Sequence, residues 1–471
     1  MSLIFTSGLP MLILAAGAIL VFIAGALAPS AGRIFRTIAL VAALAATLAG
    51  IFTVPAGGQS LFDTSPYARF FVTLLCALTF LSLLFGGEYA RLRGFERDEF
   101  HALMLLSGLG MCLLAVSVNW IMAAIGLESI SLPLYVLIAA RRDSALSLEA
   151  AVKYFVLGAV ASVMFFFGAA LLYAASGSLD IVRSLAQGNP GITLLGLGFI
   201  LAGLAFKLSL APVHLWTPDV LQGAPAPVAA FLSGGSKVAV FAALLRMAAS
   251  ASPAWNSLTP ALWILAALSM TGGTLGALTQ SRVKRMLAYA SVAHMGYLML
   301  ALLAAKQTGP GPAMFAAAAF GIMDVAVFGS LGLLSPVRWD ADLIDAVRGI
   351  GLRYPVRAAA LAVSLLTLGG LPPTVGFMSK LVVFRAALSA GYLWLSVIGV
   401  IWAIAGMFYV LRALAAMYAP GPRTDTAQNA SLPAPGFTGW LALALAILLL
   451  IGLGALPAPV LDAAAPFTHL P

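Results

Sequence analysis

Charge is what this chain lacks most. Only 9% of its 471 residues are Asp, Glu, Lys or Arg, while 62% are hydrophobic and the mean hydropathy is +1.05. A soluble domain of this size would have almost nothing polar to show water, so that class is excluded. Cysteine is nearly absent too. Cys76 and Cys112 each lie inside an apolar run, so the expectation is two buried thiols, with no disulfide and no cysteine metal site. There is no glycine-rich phosphate loop, no flavin motif and no histidine pairing at haem- or metal-ligand positions. Redox chemistry and nucleotide hydrolysis are therefore not expected of this chain, and no metal or cofactor is expected in it. Met1 to Pro10 carries no basic segment and no small-residue cleavage site follows, so the first apolar run reads as a retained span. With ends this short, no separate soluble domain is expected.

What the chain has is apolar length. A helix needs roughly 20 apolar residues to cross a bilayer. By that ruler the sequence is an all-α polytopic membrane protein of about fourteen spans. Their centres fall near Leu20, Ala43, Thr79, Gly110, Ser131, Met164, Leu204, Val238, Ser269, Met295, Met323, Ser364, Ala403 and Ala446. Spans four and five run together around Val118-Asn119, which requires a tight turn there. A helix restarts after Pro225, since proline is tolerated in a first turn.

The net charge of +9 is a topology signal and not a nucleic-acid footprint. Seventeen of the 25 lysines and arginines lie in loops after odd-numbered spans, from Arg33 and Arg36 through Arg141, Arg142 and Lys153 to Arg338, Arg412 and Arg423. Loops after even-numbered spans hold only Arg69, Arg183, Arg246, Lys306 and Arg385. The positive-inside rule then puts odd loops in the cytoplasm and both termini outside, in the periplasm of a bacterial inner membrane.

The remaining three cations are Lys207, Lys237 and Lys380, all within apolar stretches, joined by Glu128. A charge at the bilayer centre costs roughly 2.5–3.5 kcal/mol even on the lenient insertion scale, so four of them call for a use. Two of the lysines sit beside prolines that break helices, in Lys207-Leu-Ser-Leu-Ala-Pro212 and Pro372-Pro373-Thr-Val-Gly-Phe-Met-Ser-Lys380. The two breaks lie five spans apart. An odd offset reverses orientation, and interrupted helices at matching places in inverted repeats point to a transport site. Lysine suits proton carriage because burial penalises its charged form and a nearby carboxylate restores it. Glu128 could toggle Lys207 in this way. The competing reading is a static charge pair that holds two helices together.

Other polar residues leave both readings open. His214, two residues past Pro212, could relay protons or cap freed carbonyls. His294, deep in span ten, could relay or pack. Lys153 and Glu149 are four apart on one helix face, as relay members or as an interfacial anchor. Asp324 is alone in span eleven, where a function or a simple hydrogen bond would account for it.

The sequence resembles the antiporter-like membrane subunits of respiratory complex I, most closely the subunit N branch of the bacterial NADH:quinone oxidoreductases. The resemblance covers about residues 67 to 385. It rests on Tyr67-Ala-Arg-Phe-Phe71, Gly126-Leu-Glu128-Ser, Ser147-Leu-Glu149-Ala-Ala-Val-Lys153-Tyr-Phe155 and Gly177-Ser-Leu-Asp180. It continues through Phe206-Lys207-Leu-Ser-Leu-Ala-Pro-Val-His214-Leu-Trp-Thr-Pro-Asp219, Gln222-Gly-Ala-Pro225-Ala-Pro227, Lys284-Arg-Met-Leu-Ala-Tyr289, Ala293-His294-Met-Gly-Tyr297 and Leu371-Pro-Pro-Thr-Val-Gly-Phe-Met-Ser-Lys380. It implies fourteen helices with two inverted five-helix repeats and discontinuous helices seven and twelve. The division expected is 1–98 for helices one to three, 99–250 for the first repeat, 251–418 for the second, and 419–471 for helix fourteen.

The resemblance also implies roles. Glu128, Lys207, Lys237 and Lys380 would form a proton relay, with Lys153, His294 and His214 as further stations. NADH, FMN, iron–sulfur clusters and quinone would belong to partner subunits of the complex, and the neighbours in the membrane would be other antiporter-like subunits. The chain departs from the family pattern at Ser379, where glycine is usual, at Val72, where lysine is common, and at Asp324, where an uncharged residue such as asparagine is expected. Two alternatives remain: a subunit of a cation/proton antiporter or membrane-bound hydrogenase, and a structural scaffold between pump subunits.

Charge counting alone yields a test. Single cysteines placed between positions 338 and 357 should stay unlabelled by an impermeant thiol reagent in intact cells, while one at the C-terminus, Leu470-Pro471, should label. Strong labelling of the 338–357 loop would overturn the orientation.

Overall fold

Lipid offers no partner to a backbone N–H or C=O, so an apolar chain must satisfy those groups within itself. The structure, a computed structural model, describes residues 8–28, 32–53, 62–249, 253–336, 342–420 and 432–464. Arg338, Arg423 and both ends of the chain, including Leu470-Pro471, lie outside the described residues. Among those described, every element is helical, and extended pairing is limited to two isolated bridges, Asn119 with Asp180 and Arg282 with Leu343.

The membrane helices are α1 (Leu9–Leu27), α2 (Gly32–Phe52), α3 (Pro66–Arg93), α4 (Asp98–Ala115), α5 (Trp120–Ile138) and α6 (Ala145–Ser176). Span seven is split into α7 (Pro190–Lys207) and α8 (Trp216–Gly223). Then come α9 (Ala226–Ala248), α10 (Thr259–Thr279), α11 (Val283–Thr308) and α12 (Gly311–Leu333). Span twelve is split into α13 (Pro355–Gly369) and α14 (Val375–Ser389), followed by α15 (Leu393–Tyr418) and α16 (Phe437–Ala455). Thirteen of these are long and apolar enough to cross a membrane alone. The fourteenth passage is made by α13 and α14 together. Each has 15 residues, about 22 Å at 1.5 Å per residue, short of the roughly 30 Å hydrocarbon core. All fourteen expected centres fall inside these spans.

Local signals place the boundaries. The turn expected at Val118-Asn119 is real: α4 ends at Ala115, and the Asn119 side chain caps α5 by accepting from the Met122 N–H at 2.8 Å. Asn189 caps α7 in the same way, with Pro190 in its first turn. Pro225 stands immediately before α9. Cys76 and Cys112 are free, buried thiols 3.8 Å apart.

The two five-span units share a packing scheme. Span four lies along span five as span nine lies along span ten, and four touches eight as nine touches thirteen. The interrupted spans seven and twelve hold matching places. Helices α9 and α12 are buried over their whole apolar length and α11 nearly so, whereas α2, α6, α15 and α16 turn most of their surface outward to lipid. The polar interior of the membrane therefore runs along α9, α11 and α12.

The basic loops gather at one end of the bundle. Asp219 accepts from Lys153 and Arg285, Asp342 from Arg282 and Gln222, and Lys284 donates to the Ala224 carbonyl. Arg93 reaches the Ser335 and Pro336 carbonyls, and Arg357 the Pro433 carbonyl. The residues counted to the opposite end pair among themselves: Arg246 with Asp63, Lys306 with Asn256, and Arg69 with the Thr53 carbonyl. The described members of the two sets sit at opposite ends, as the loop count requires.

One helix crossing fixes the centre. Residues Phe231–Ser236 of α9 widen into a π-helical turn, the kind of insertion that recurs at functional sites. Within it, Gly234 meets Gly321 of α12 so closely that an added Cβ would lie 2.6 Å from the Gly321 carbonyl oxygen. Close backbone approach of this kind is what small residues contribute in membranes. Gly234→Ala should lower the stability of the assembled protein by about 1–3 kcal/mol, the range for over-packing. Gly198→Ala, where nothing lies within 4 Å, should be neutral or stabilising by up to about 1 kcal/mol through helix propensity. Thermal melting in detergent compares the two; equal melting temperatures would show the crossing to be loose.

Candidate functional site

The first break ends α7 at Lys207, five residues before Pro212. The freed carbonyls at its end do not wait for water. Leu204 accepts from the Leu208 N–H, Ala205 from Leu210, and Phe206 from both Ser209 and the Trp216 indole at 3.1 Å. Ser209 adopts a left-handed conformation and the Ala211–Pro212 bond is cis. Ser269 of α10 holds the break by accepting from the Ala211 N–H at 2.9 Å.

Lys207 is buried, with 6% of its surface exposed. Its Nζ donates to Ser131 Oγ at 2.8 Å and sits over the rings of Tyr154 and Tyr135, 5.2 Å and 5.8 Å from their centroids. Cation–π contacts of this kind offset part of the desolvation of the ammonium. The expected partner, Glu128, is three residues before Ser131 on the same face of α5. Its charge acts on Lys207, yet the two form no ion pair, and Glu128 Oε1 is buried without a hydrogen-bond partner. The lysine thus rests on a hydroxyl while a carboxylate waits beside it.

Lys237 is fully buried on α9. Its Nζ donates to Ser291 Oγ of α11 at 2.7 Å. Ser291 and Ser233 hydroxyls are 2.8 Å apart, and Ser233 donates to Asp324 Oδ2 on α12. Asp324, which stood alone in the sequence, is therefore joined to Lys237 through two serines. The charge of Lys237 also reaches His214 in the first break and His294 on α11.

The second break starts at Gly370, in the left-handed conformation at φ 82°, and passes a cis Pro372–Pro373 bond before α14. Lys380 reaches back across it. Its Nζ donates to the Gly369 carbonyl at 2.9 Å and to Leu368 at 3.3 Å, the unsatisfied carbonyls at the end of α13. A cation there also opposes the negative end of the helix dipole. The Leu368 carbonyl faces His294 as well. His294 Nδ1 is 2.8 Å from the Ala290 carbonyl, which can only accept, so Nδ1 carries a hydrogen and Nε2 is the exchangeable nitrogen. A cavity of about 20 Å³ is lined by His294, Tyr297, Ser379 and Lys380, room for about one water.

The breaks mirror each other. Span five offers Lys207 a carboxylate and, three residues on, a hydroxyl. Span ten offers Lys380 an imidazole and, three residues on, the Tyr297 ring, 5.8 Å from Nζ. Charge acts from Glu128 on Lys207, from Lys237 on His214 and His294, and from Lys380 on His294. His214 is half-buried, its Nδ1 unpartnered and its ring 6.1 Å from Tyr289. Lys153 lies elsewhere, at the basic end of α6, bonded to Glu149 and Asp219 at 2.7 Å each, its side chain 40% exposed. These groups line a separate small opening with Gln222 and Arg285. Sequence reasoning missed Ser131, Ser233 and Ser291. Spacing would have found two of them, Ser131 three residues after Glu128 and Ser291 three before His294, each on the face of a charged or titratable neighbour.

A helical membrane bundle with two interrupted spans and a lysine at each is an antiporter-like membrane subunit. The family described as NADH:quinone oxidoreductase/Mrp antiporter, transmembrane part, matches residues 117–406. The chain is 50% identical over 427 residues to NADH-quinone oxidoreductase subunit N 1 of Solidesulfovibrio magneticus, covering 90% of each. A chain of respiratory complex I from Thermus thermophilus superposes with a TM-score of 0.83 at 33% identity, over 97% of this chain and 99% of that one. A chain of the Mrp complex from Dietzia shares the fold, with a TM-score of 0.85 at 21% identity over 97% of this chain and 95% of its own. The chain belongs to the NADH:quinone oxidoreductase/Mrp antiporter family, on its subunit N branch.

Gly370 is tied to the geometry of Lys380 twice over. A Cβ there would lie 2.9 Å from Lys380 Nζ, on a backbone that L-residues rarely adopt. Gly370→Ala should cost about 1–2 kcal/mol in backbone strain and move the ammonium off the Gly369 carbonyl. Thermal melting reads the first effect and a structure of the variant the second; an unmoved Lys380 with unchanged melting would refute the link.

Proposed function

We propose that this chain is a proton-translocating, non-redox membrane subunit of a respiratory complex I. NADH oxidation and quinone reduction, with the FMN, iron–sulfur clusters and quinone they need, fall to partner subunits. The chain sits in the bacterial inner membrane beside other antiporter-like subunits, with both termini periplasmic. Residues 99–250 and 251–418 act as two inverted half-channels, flanked by 1–98 and 419–471.

One observation carries the reading: each helix break holds a lysine inside the bundle, Lys207 buried and Lys380 half-buried, and a third, fully buried lysine, Lys237, lies on the helix α9 between them. In the first half, Lys207 exchanges its proton when it moves between Ser131 and the unpartnered Glu128. Near Ser131 the ammonium has only dipoles to stabilise it. Near Glu128 it has a full counter-charge. A shift of a few ångströms thus changes its proton affinity through charge. Lys237 passes the change to the second half, where the Leu368 carbonyl accepts from Lys380 and the unpartnered Nε2 of His294 lies within reach of both lysine charges. Lys153, Glu149 and Asp219 form the mouth at the cytoplasmic end, where mixed charges keep the opening wet.

Two substitutions separate relay from static pairing. Lys207→Met keeps the apolar stem but no titrating group. The assembled complex should form, pump at least about 100-fold more slowly, as expected for a lost proton-transfer group, and turn over quinone more slowly. Lys207→Arg should fail similarly, because guanidinium does not deprotonate in proteins. Pumping per assembled complex in vesicles is the measurement. Full activity in Lys207→Arg together with poor assembly of Lys207→Met would identify a structural charge pair instead, since methionine would leave the half-buried Glu128 without its counter-charge.

A further inference from the structure

Lys207 and Lys380 have their partners at the helix breaks, but Lys237 has none there. It stands on an unbroken helix, fully buried, and among the described residues the acidic charge acting on it is that of Asp324. Between them the side chains form a continuous series across three helices. Lys237 donates to Ser291 at 2.7 Å, the Ser291 and Ser233 hydroxyls lie 2.8 Å apart, and Ser233 donates to Asp324. With Ser291 donating to Ser233, every hydrogen bond in the series points from the ammonium to the carboxylate.

We propose that Asp324 is the proton acceptor of Lys237, reached through Ser291 and Ser233. The transfer is concerted. Lys237 gives a proton to Ser291 Oγ, Ser291 gives its own to Ser233 Oγ, and Ser233 gives its own to Asp324. The ammonium and carboxylate become amine and carboxylic acid, both hydroxyls are regenerated, and no atom or electron is gained or lost. The buried zwitterion thereby becomes a neutral pair without any charge leaving the protein interior. Lys237 can empty in place and be refilled from the His214 or the His294 side.

The fold is shaped for this series. Ser233 lies in the π-helical turn of α9, beside Gly234, whose contact with Gly321 brings α9 against α12. Gly321 is three residues before Asp324, so the crossing that excludes a Cβ also sets the carboxylate against the serine. Ser291 is three residues before His294 on α11, which places the series next to the second half-channel. An isolated carboxylate in an apolar helix would need only one hydrogen bond to be tolerated. Here it terminates a chain of three donors that begins at a cation.

The inference rests on the relay reading above, and the experiment keeps the two apart. Whole complex in vesicles is compared for Asp324→Asn, Ser291→Ala, the double variant Ser233→Ala with Ser291→Ala, Ser291→Thr, and Lys207→Met as a reference. Asparagine still accepts from Ser233 but cannot take a proton. Ser291→Ala leaves both charges in place and cuts only the path, so it decides the matter should Asp324→Asn fail to assemble. The expected result is a loss of pumping of about 100-fold in Asp324→Asn and in the alanine variants, recovery in Ser291→Thr, and no further loss when Asp324→Asn is combined with Ser291→Ala. Infrared difference spectra should contain a protonated carboxylic acid band that Asp324→Asn removes. Wild-type pumping in the Ser233/Ser291 double alanine variant overturns the proposal, as does a wild-type spectrum in which Asp324→Asn removes no acid band. If Lys207→Met also pumps normally, the relay reading itself falls; if Lys207→Met is defective while the serine variants are not, only Asp324 loses its role.

Discussion

Everything in this molecule depends on one constraint: a polar group inside the membrane must find its partner within the protein. Lipid satisfies nothing, and the cost of an orphan is several kcal/mol. The two helix breaks and the buried lysines answer that constraint for each other. Breaking α13 exposes two carbonyls, and Lys380 takes them. Ending α7 exposes three, and the reversed chain with Trp216 takes those, leaving Lys207 to find Ser131. The difference is instructive. Lys380 is held by fixed backbone oxygens, whereas Lys207 is held by a rotatable hydroxyl, with the unpartnered Oε1 of Glu128 on the same helix face. The first half is therefore the more readily rearranged.

The same constraint explains how much of the structure could be read from the sequence. Spans were legible because apolar length has no other use in a chain this poor in charge. The breaks were legible from Pro212 and Pro372, and the four intramembrane charges from their cost alone. The turn at Asn119 could be placed because two spans ran together there. What remained hidden was pairing. Glu128 was expected to act on Lys207, as a toggle or as a static partner, but the hydrogen bond of the ammonium goes to Ser131, one turn along the same face. Asp324 had no visible partner, since the helices that carry Ser233, Ser291 and Lys237 are brought together by a glycine crossing and a π-helical turn, neither of which has a periodic signature. Lys153 was drawn into the expected relay by the resemblance, yet it lies at the basic end of α6, bonded to Glu149 four residues before it.

Small residues do much of this positioning. Gly234 and Gly321 remove the side chains that would keep α9 and α12 apart, and Gly370 lets the chain reverse while leaving space for the Lys380 ammonium. In a soluble protein such close contact would be reinforced by hydrophobic association. In lipid it must come from packing and hydrogen bonding, which is why the polar series and the glycine crossing occur at the same depth.

The histidine at the centre of the second half has a consequence of its own. An imidazole that hands protons straight through takes one on one nitrogen and releases it from the other. His294 cannot do so, because its Nδ1 is committed to the Ala290 carbonyl within its own helix. In the relay proposed above, arrivals and departures at His294 would share Nε2. The ring would then behave as a turnstile and not as a corridor, with direction imposed by which neighbour faces that single nitrogen at a given moment. One-way traffic through this half would then be a property of the timing of Lys237 and Lys380.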